Sequence, residues 1–384
     1  MSSRRPIAAI VGSAPAPSQD DGRFTPVGLM AEAAALAVAD SGVTKAQVDA
    51  LYSASSYYYM PTLTLGEYLG IRPTTTDSTT IGGCSFVAHL RHASFALEAG
   101  AATYALVAHA STQRTDGRRR VFSASESSPF EAPYGPLWPI SGYALIARRH
   151  MHEYGTKPEH LAEVAVAARE WAILNPEAAA ATPITVDDVL TSPVICEPLH
   201  RYDCCLVTDG AGALVVTSPE RARDEHEHQV YVLGAAETHT ARIVSQLGDF
   251  VTSPASITAP AALAQAGLNL ADIDTFQLYD AFTIAVLQII EDIGLCPKGD
   301  AGPFVEGGAL RPGGELAVNT SGGGLSYRHP GMLGMTLLLE AVTQLRATGG
   351  SRQVPDAQLA LVHGLGGVQM SGATAVLAGP DWTW

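Results

Sequence analysis

A faint internal repeat constrains this 384-residue chain more than any other feature. "ALAVADSGVTKAQVDALYSAS", beginning at Ala35, and "PAALAQAGLNLADIDTFQLYD", beginning at Pro260, align without gaps at an offset of 225 positions, pairing Gly42 with Gly267, Ala46 with Ala271, Val48 with Ile273 and Asp49 with Asp274. Self-similarity of this kind implies a duplicated supersecondary unit. In each copy an alanine-rich helical run stops at a glycine, and a short segment leads through an aspartate into a β-rich stretch. Thr25-Pro26 supplies an N-cap and a first-turn proline for the first of these helices.

The elements that follow also correspond. "TTIGGCSFVAHLRHASFALEAG" reads as a strand end, a glycine turn and a buried helix, followed by the strand "YALVAHA"; "LAVNTSGGGLSYRHPGMLGMTLLLEAV" and "LALVHGLGG" repeat that order. Apolar strands without polar alternation belong to sheets covered on both faces, and strand–helix alternation predicts largely parallel connections. The expected class is α/β, with an N-terminal half over residues 1–225 and a C-terminal half over 226–384. Residues from about 111 to 205 break the symmetry as an inserted loop domain, with a helix around "HLAEVAVAAREWAILNP", and are expected to cover the site. The polar "SPERARDEHEHQ", residues 218–229, is the expected surface junction between the halves.

With 47% hydrophobic and 16% charged residues the chain can bury a large core. Its formal net charge of −15 argues against coating nucleic acid or an anionic membrane. The apolar stretch Ile7 to Val11 is too short for a secretory signal, and no segment reaches the ~18 apolar residues of a membrane span, so a cytoplasmic location without membrane insertion is expected. Cys84, Cys196, Cys204, Cys205 and Cys296 have no paired C-x-x-C spacing, which suggests reduced thiols and neither a disulfide frame nor a metal site.

The span "VNTSGGGLSYRHPGMLG" resembles the N-x-x-G-G-x-x-x-x-G-H-P-x-G segment of thiolases, and "ALVHGLGGVQMSGA" falls where thiolases have a final C-x-G-G-G strand and turn. "HMHEYGTKPEHLAEVAVAAREWAILNP", "EPLHRYDCCLVTDGAGALVVTS" and "LYDAF" are similar to the sterol-carrier or lipid-transfer-protein type of that superfamily, so the resemblance runs over nearly the whole chain. It implies the thiolase fold, two βαβαβαββ halves in a five-layer αβαβα sandwich. It also implies an acyl-CoA substrate, no tightly bound cofactor beyond the coenzyme A of that substrate, a homodimer, and a small zinc-ribbon/OB-fold partner protein. His329 lies where a thiolase histidine polarises a thioester carbonyl, and Gly322, Gly323 and Gly324 would let backbone approach the substrate. Arg114, Arg118, Arg119 and Arg120 lie where the family binds the coenzyme, with a solvated loop or a subunit contact as the other reading. His89 and His92 read as structural or interface histidines, and Asp209-Gly210 as a turn entering a strand.

Four departures separate the chain from that resemblance. The helix alignment through Ala93, Leu97 and Gly100 puts Gly83 at the thiolase nucleophile position and Ser85 at its serine, leaving Cys84 one residue, or ~100 degrees of helix, away unless the register slips locally. His363 stands at the second cysteine, Tyr279 in "YDAF" at the site of a polar asparagine or histidine, and Tyr327 two residues before His329. These departures resemble the thiolase-like aldolases of steroid side-chain degradation, which cleave a β-hydroxyacyl-CoA to a ketone and a shorter acyl-CoA without an acyl-enzyme. Such a reaction needs a base for the β-hydroxyl, a stabiliser of the enolate and an acid for its carbon, and Tyr279, Tyr327 and His329, beside Asp280, can supply them. A phenol is a poor base at neutral pH, so Tyr327 is expected to have a lowered pKa or a relay through His329 or His363. The alternatives are a thiolase or acetyl-CoA acyltransferase using Cys84, and a non-catalytic acyl-CoA-binding subunit.

Overall fold

A computed structural model describes residues 4–16, 22–116 and 129–384; Arg118, Arg119 and Arg120 lie outside them. The N-terminal half runs β1 (Ala8–Pro15), α1 (Pro26–Ser41), β2 (Ala50–Ser53), α2 (Pro61–Leu69), β3 (Thr75–Asp77), α3 (Ser85–Glu98) and β4 (Tyr104–Ser111). Next come α4 (Ile140–Tyr154), α5 (Pro158–Ile173), α6 (Val186–Thr191), β5 (Val194–Cys196) and β6 (Leu199–His200), before the chain returns to the sheet in β7 (Gly210–Thr217) and crosses over through α7 (Pro219–Glu225). The C-terminal half is β8 (Val230–His239), α8 (Ala255–Ala266), β9 (Thr275–Leu278), α9 (Thr283–Asp292), α10 (Ala301–Val305), α11 (Gly334–Leu345), β10 (Leu359–Gly366) and β11 (Ser371–Ala378). The polar junction is thus a short helix, α7, whose N-cap Ser218 accepts a hydrogen bond from the Arg221 N–H.

The repeat is literal in three dimensions. Thr25 caps α1, its Oγ1 accepting from the Gly28 N–H at 3.2 Å, and α1 ends at Gly42, as α8 ends at Gly267, in left-handed conformations with φ of 69° and 72°. Single 3₁₀ turns at Lys45–Gln47 and Leu270–Asp272 then lead into β2 and β9.

Nine strands form one hydrogen-bonded sheet in the order β3-β2-β4-β7-β1-β8-β11-β10-β9. The halves join where β1 pairs antiparallel with β8, Ala8 opposite Val232 and Ile10 opposite Val230. The expectation of largely parallel connections is corrected: β2 with β3, β2 with β4 and β9 with β10 are parallel, whereas the remaining pairs are antiparallel. The reason is local. The tight turn between β10 and β11 makes a hairpin, and β7 returns antiparallel to β4 after the long excursion. Helices α1 and α8 cover the outer faces, while α3 and α11 pack between strands of both halves, giving the five layers of a thiolase fold. No helix among the described residues is long and apolar enough to cross a membrane.

His92 on α3 ties the edge of this sheet to its middle. Its Nδ1 lies 2.5 Å from Asp77 Oδ2 on β3 and its Nε2 2.8 Å from Glu237 Oε1 on β8. His89, one turn earlier, is buried with Nε2 3.1 Å from the Thr79 carbonyl, so both histidines are structural. Hydrogen bonds donated to Asp77 and then to Glu237 hold the His92 imidazolium's pKa up to about 9. A folded pKa above the unfolded one gives stability that is complete below the unfolded value near ~6.5 and lost as pH rises through the folded one. The unfolding free energy of wild type minus His92→Gln should therefore be largest near pH ~6 and shrink by up to ~3 kcal/mol by pH ~10 in urea titrations; a difference independent of pH would contradict this clamp.

Candidate active site

The site is built at the ends of α3, β9, β10 and the glycine loop before α11. The chain enters α3 through a 3₁₀ turn, Gly82–Cys84, held by Ser85 Oγ, which donates to the Gly82 carbonyl at 2.7 Å and accepts from the Ile81 N–H at 3.0 Å. Tyr279 follows β9, its N–H donating to the His363 carbonyl at 3.0 Å, and its side chain fills the space in front of Gly83. A Cβ at position 83 would stand 2.2 Å from the Tyr279 hydroxyl, closer than real contacts allow, so phenol and glycine require each other. The Tyr279 ring also meets the His329 ring edge-on, centroids 6.0 Å apart at 86°.

His329 is 8% exposed, and its Nε2 has no hydrogen-bond partner among the described residues. Its main chain is fixed by exchange with Thr208, Thr208 Oγ1 accepting from the His329 N–H at 3.1 Å. Burial pushes the imidazole down to about 4, so it is neutral at neutral pH and can donate or accept without carrying a charge. A buried, unsatisfied nitrogen is costly unless a ligand completes it.

Asp280 turns the other way. Its carboxylate, fully buried, accepts from the Gly324 N–H at 2.7 Å and the Leu325 N–H at 3.2 Å, clamping the π-helical turn Gly323–Tyr327. Burial raises its pKa to about 7 against the pull of those N–H groups. Gly323 and Gly324 are also required by packing within the protein. A Cβ on Gly323 would lie 2.1 Å from Asp280 Oδ2 and one on Gly324 3.0 Å from His329 Cδ2, so the missing side chains make room for Asp280 and His329.

Tyr327, at the end of that turn, is half-buried, and its hydroxyl donates to Glu177 Oε2 at 3.4 Å. It makes neither a ring contact nor a hydrogen bond with Tyr279 or His329 among the described residues. Burial pushes its pKa up to about 12, the opposite of the expected lowering. Burial likewise holds the Tyr279 phenol well above its usual value, with Tyr143 and Cys205 adding to the effect. Tyr143, stacked on Phe282 at 4.5 Å, was not singled out from the sequence, and Cys205 was read there only as a reduced thiol.

Known proteins match one part of the chain as a family model and nearly all of it as relatives and a solved structure. Residues 236–379 match the family model "Thiolase C-terminal domain-like". An acetyl-CoA acetyltransferase of Methanothermobacter thermautotrophicus is 32% identical, over 91% of this chain and 92% of that protein. A 17-hydroxy-3-oxo-4-pregnene-20-carboxyl-CoA lyase of Mycobacterium tuberculosis is 35% identical, over 89% of this chain and 92% of that protein. The solved structure of an Ltp2-ChsH2(DUF35) aldolase superposes with a TM-score of 0.89 at 31% identity, covering 98% of this chain and 99% of that one. The chain belongs to the thiolase superfamily.

Within that superfamily the two thiol positions are changed in space as well as in sequence. Cys84 is fully buried and donates to the Ile81 carbonyl at 3.2 Å, and burial pushes its thiol far above the usual range, so it is held as a neutral thiol. His363 is corrected. A Cβ on Gly364 would lie 2.8 Å from Cys84 Cα, so position 364 faces α3, and strand alternation turns His363 to the opposite face. There its Nδ1 lies 2.7 Å from Thr374 Oγ1, which bonds Thr258 of α8 at 2.7 Å. The imidazole therefore lies in the outer layer, beyond reach of either tyrosine as a relay.

The expected coenzyme arginines are also only partly placed. Arg114 is anchored by Asp209, which accepts from its N–H at 2.9 Å, and its Nη1 lies 3.4 Å from the Val207 carbonyl. Asp209 directly precedes β7, whose first residue is Gly210. A cavity of about 320 Å³ lies elsewhere in the insertion, lined by Arg169, Thr182, Ile184, Ser192, Arg201 and Tyr202 among others. Arg169 is 6% exposed, its Nε donating to Ser326 Oγ at 3.0 Å and its Nη1 to the Thr182 carbonyl at 2.6 Å, with no carboxylate bonded to it among the described residues.

Two outcomes follow from this geometry. Gly83→Ala should cost ~1–3 kcal/mol of unfolding free energy by overpacking, and most of that cost should vanish in the background Tyr279→Ala, measured as a double-mutant cycle. Incubation with acetyl-CoA should leave the intact mass of the protein unchanged, and Cys84→Ala should turn over as wild type does; a stoichiometric adduct lost in that variant would mean that Cys84 is acylated after all.

Proposed function

We propose that this thiolase-superfamily enzyme is a carbon–carbon lyase that cleaves a β-hydroxyacyl-CoA in the retro-aldol direction to a ketone and a shorter acyl-CoA. The observation that carries the reading is the phenol of Tyr279 in the space before Gly83, where an acylated thiol would have to stand. An acyltransferase is disfavoured by the same contact and by the sequestered thiol of Cys84. Two relatives named as a lyase and an aldolase support the reading.

In this mechanism His329 Nε2 donates to the thioester carbonyl oxygen as enolate character develops, a contribution typically worth ~3 kcal/mol. Tyr327 accepts the proton of the β-hydroxyl while the bond between the α- and β-carbons breaks and the ketone forms. Tyr279, kept protonated by its burial, delivers a proton to the α-carbon of the enolate. Asp280 acts by holding the loop that carries Tyr327 and His329. The cavity at Arg169 and Arg201, whose lining also includes Asp188, is offered as the site for the phosphates of coenzyme A, because the buried Arg169 guanidinium bonds only neutral acceptors among the described residues. We further propose a cytoplasmic homodimer through the edge strand β3 and the exposed Tyr59, Met60 and Tyr68 beside it, together with a zinc-ribbon/OB-fold partner, in keeping with the two-protein name of the solved aldolase.

With 17-hydroxy-3-oxo-4-pregnene-20-carboxyl-CoA as probe, wild type should release a ketone and a shorter acyl-CoA. His329→Ala and Tyr279→Phe should each lose at least ~10²-fold in kcat while remaining folded. Full activity in Tyr279→Phe would remove the tyrosine from the chemistry, and failure of the folded wild type, with its partner protein present, to cleave any β-hydroxyacyl-CoA would overturn the lyase reading.

A further inference from the structure

Tyr327 cannot take a proton unaided, because a phenol raised by burial is protonated throughout the neutral range. Neither imidazole that could relieve it is in reach: His329 is engaged edge-on with Tyr279, and His363 lies on the other face of the sheet. What does stand at its hydroxyl is the carboxylate of Glu177, Oε2 at 3.4 Å. Nothing in the sequence marked this glutamate, which lies in the strap after α5.

The strap is built to keep it there. The Glu177 N–H donates to Asn175 Oδ1 at 3.1 Å, and Asn175 Nδ2 donates to the Ser321 carbonyl at 2.9 Å at the start of the glycine loop. Two residues on, the Ala179 N–H donates to the Tyr327 carbonyl at 3.1 Å and the Ala180 N–H to the Ser326 carbonyl at 3.0 Å. Arg169 adds its bond to Ser326 Oγ. Strap and loop are thus joined on both sides of the Glu177–Tyr327 contact, and the carboxylate has access to solvent, where a captured proton can leave.

Resting on the lyase reading, we infer that Glu177 is the positioning residue and terminal proton acceptor for Tyr327 in the cleavage step. The β-hydroxyl O–H bond breaks as its proton passes to Tyr327 Oη, and the Tyr327 O–H bond breaks as its own proton passes to Glu177 Oε2. The electron pair of the β-oxygen forms the ketone carbonyl, and the pair of the broken carbon–carbon bond becomes the enolate held by His329. The enolate carbon then takes the Tyr279 proton, which Glu177 restores to the protein through solvent. No oxidant or metal enters the balance. The other charged groups about the pair are Arg328, whose guanidinium lies 5.6 Å from the Tyr327 ring centroid, Arg169, and the more distant Glu340 and Arg352.

The test uses the full chain with its partner protein and 17-hydroxy-3-oxo-4-pregnene-20-carboxyl-CoA as probe. Glu177→Gln should lower kcat by at least ~10²-fold with KM changed less than about threefold. Glu177→Asp should recover part of the rate. Without turnover, ultraviolet titration should show one tyrosine ionising at lower pH in Glu177→Gln than in wild type, a difference absent in the Tyr327→Phe background. A fully active Glu177→Gln beside an inactive Tyr327→Phe would overturn the role of Glu177 alone. So would the absence of any shift in the tyrosine titration. A fully active Tyr327→Phe would instead overturn the tyrosine mechanism on which it rests.

Discussion

Everything at this site depends on the exclusion between Tyr279 and a side chain at position 83. The phenol occupies the volume in which a Cβ would begin, 2.2 Å from its hydroxyl. A thiol and a phenol cannot both be there, so the chemistry of the pocket is chosen by which of the two positions carries a side chain. The neighbouring positions are consistent with that choice. Gly364 faces α3 without a side chain, and Cys84 is turned into the turn that starts α3, its thiol spent on the Ile81 carbonyl. With no thiol at these positions, the proposed reaction, which forms no acyl-enzyme, would draw its proton transfers from phenols, an imidazole and a carboxylate.

The second constraint is the burial of Asp280. A carboxylate taken wholly out of water needs its acceptors filled, and here two consecutive N–H groups of the glycine loop fill them. The bonds fix a π-helical turn, an uncommon local form found mostly where function needs it, and so set where Tyr327 and His329 emerge. The strap from the insertion holds the same turn from its other side. The loop is therefore a joint product of the C-terminal half and the insertion, and neither alone would define it.

The sequence carried the fold further than the site. The repeat found at Ala35 and Pro260 reappears as matching caps, turns and strand starts, because an αL glycine and an N-capping threonine are local signals that need no partner. Strand direction was not legible in the same way: β7 is antiparallel to β4 only because a long excursion separates them, and no local residue announces that. At the site, residue identity was readable and facing was not. Tyr279, Tyr327 and His329 could be picked out by motif, but whether His363 or Gly364 faces the interior is a matter of one residue in a strand, and one residue reverses the side of the sheet. Glu177 and Arg169 lay beyond motif reading altogether, since both meet the glycine loop only across about 150 residues of chain.

These placements also explain how phenols of such high pKa fit proton chemistry at neutral pH. Desolvation alone makes Tyr279 and Tyr327 alike, both protonated and both donors. What divides them is what their hydroxyls meet. Tyr279 lies among groups that hold no negative charge at neutral pH, the Tyr143 phenol and the Cys205 thiol, so it keeps its proton until a carbanion demands it. Tyr327 meets a carboxylate at the protein surface, so a proton gained on one side of its oxygen can be passed on at the other. In the proposed mechanism acid and base would thus be assigned to chemically identical side chains by their neighbours, and the boundary between the two environments is the buried turn that Asp280 holds in place.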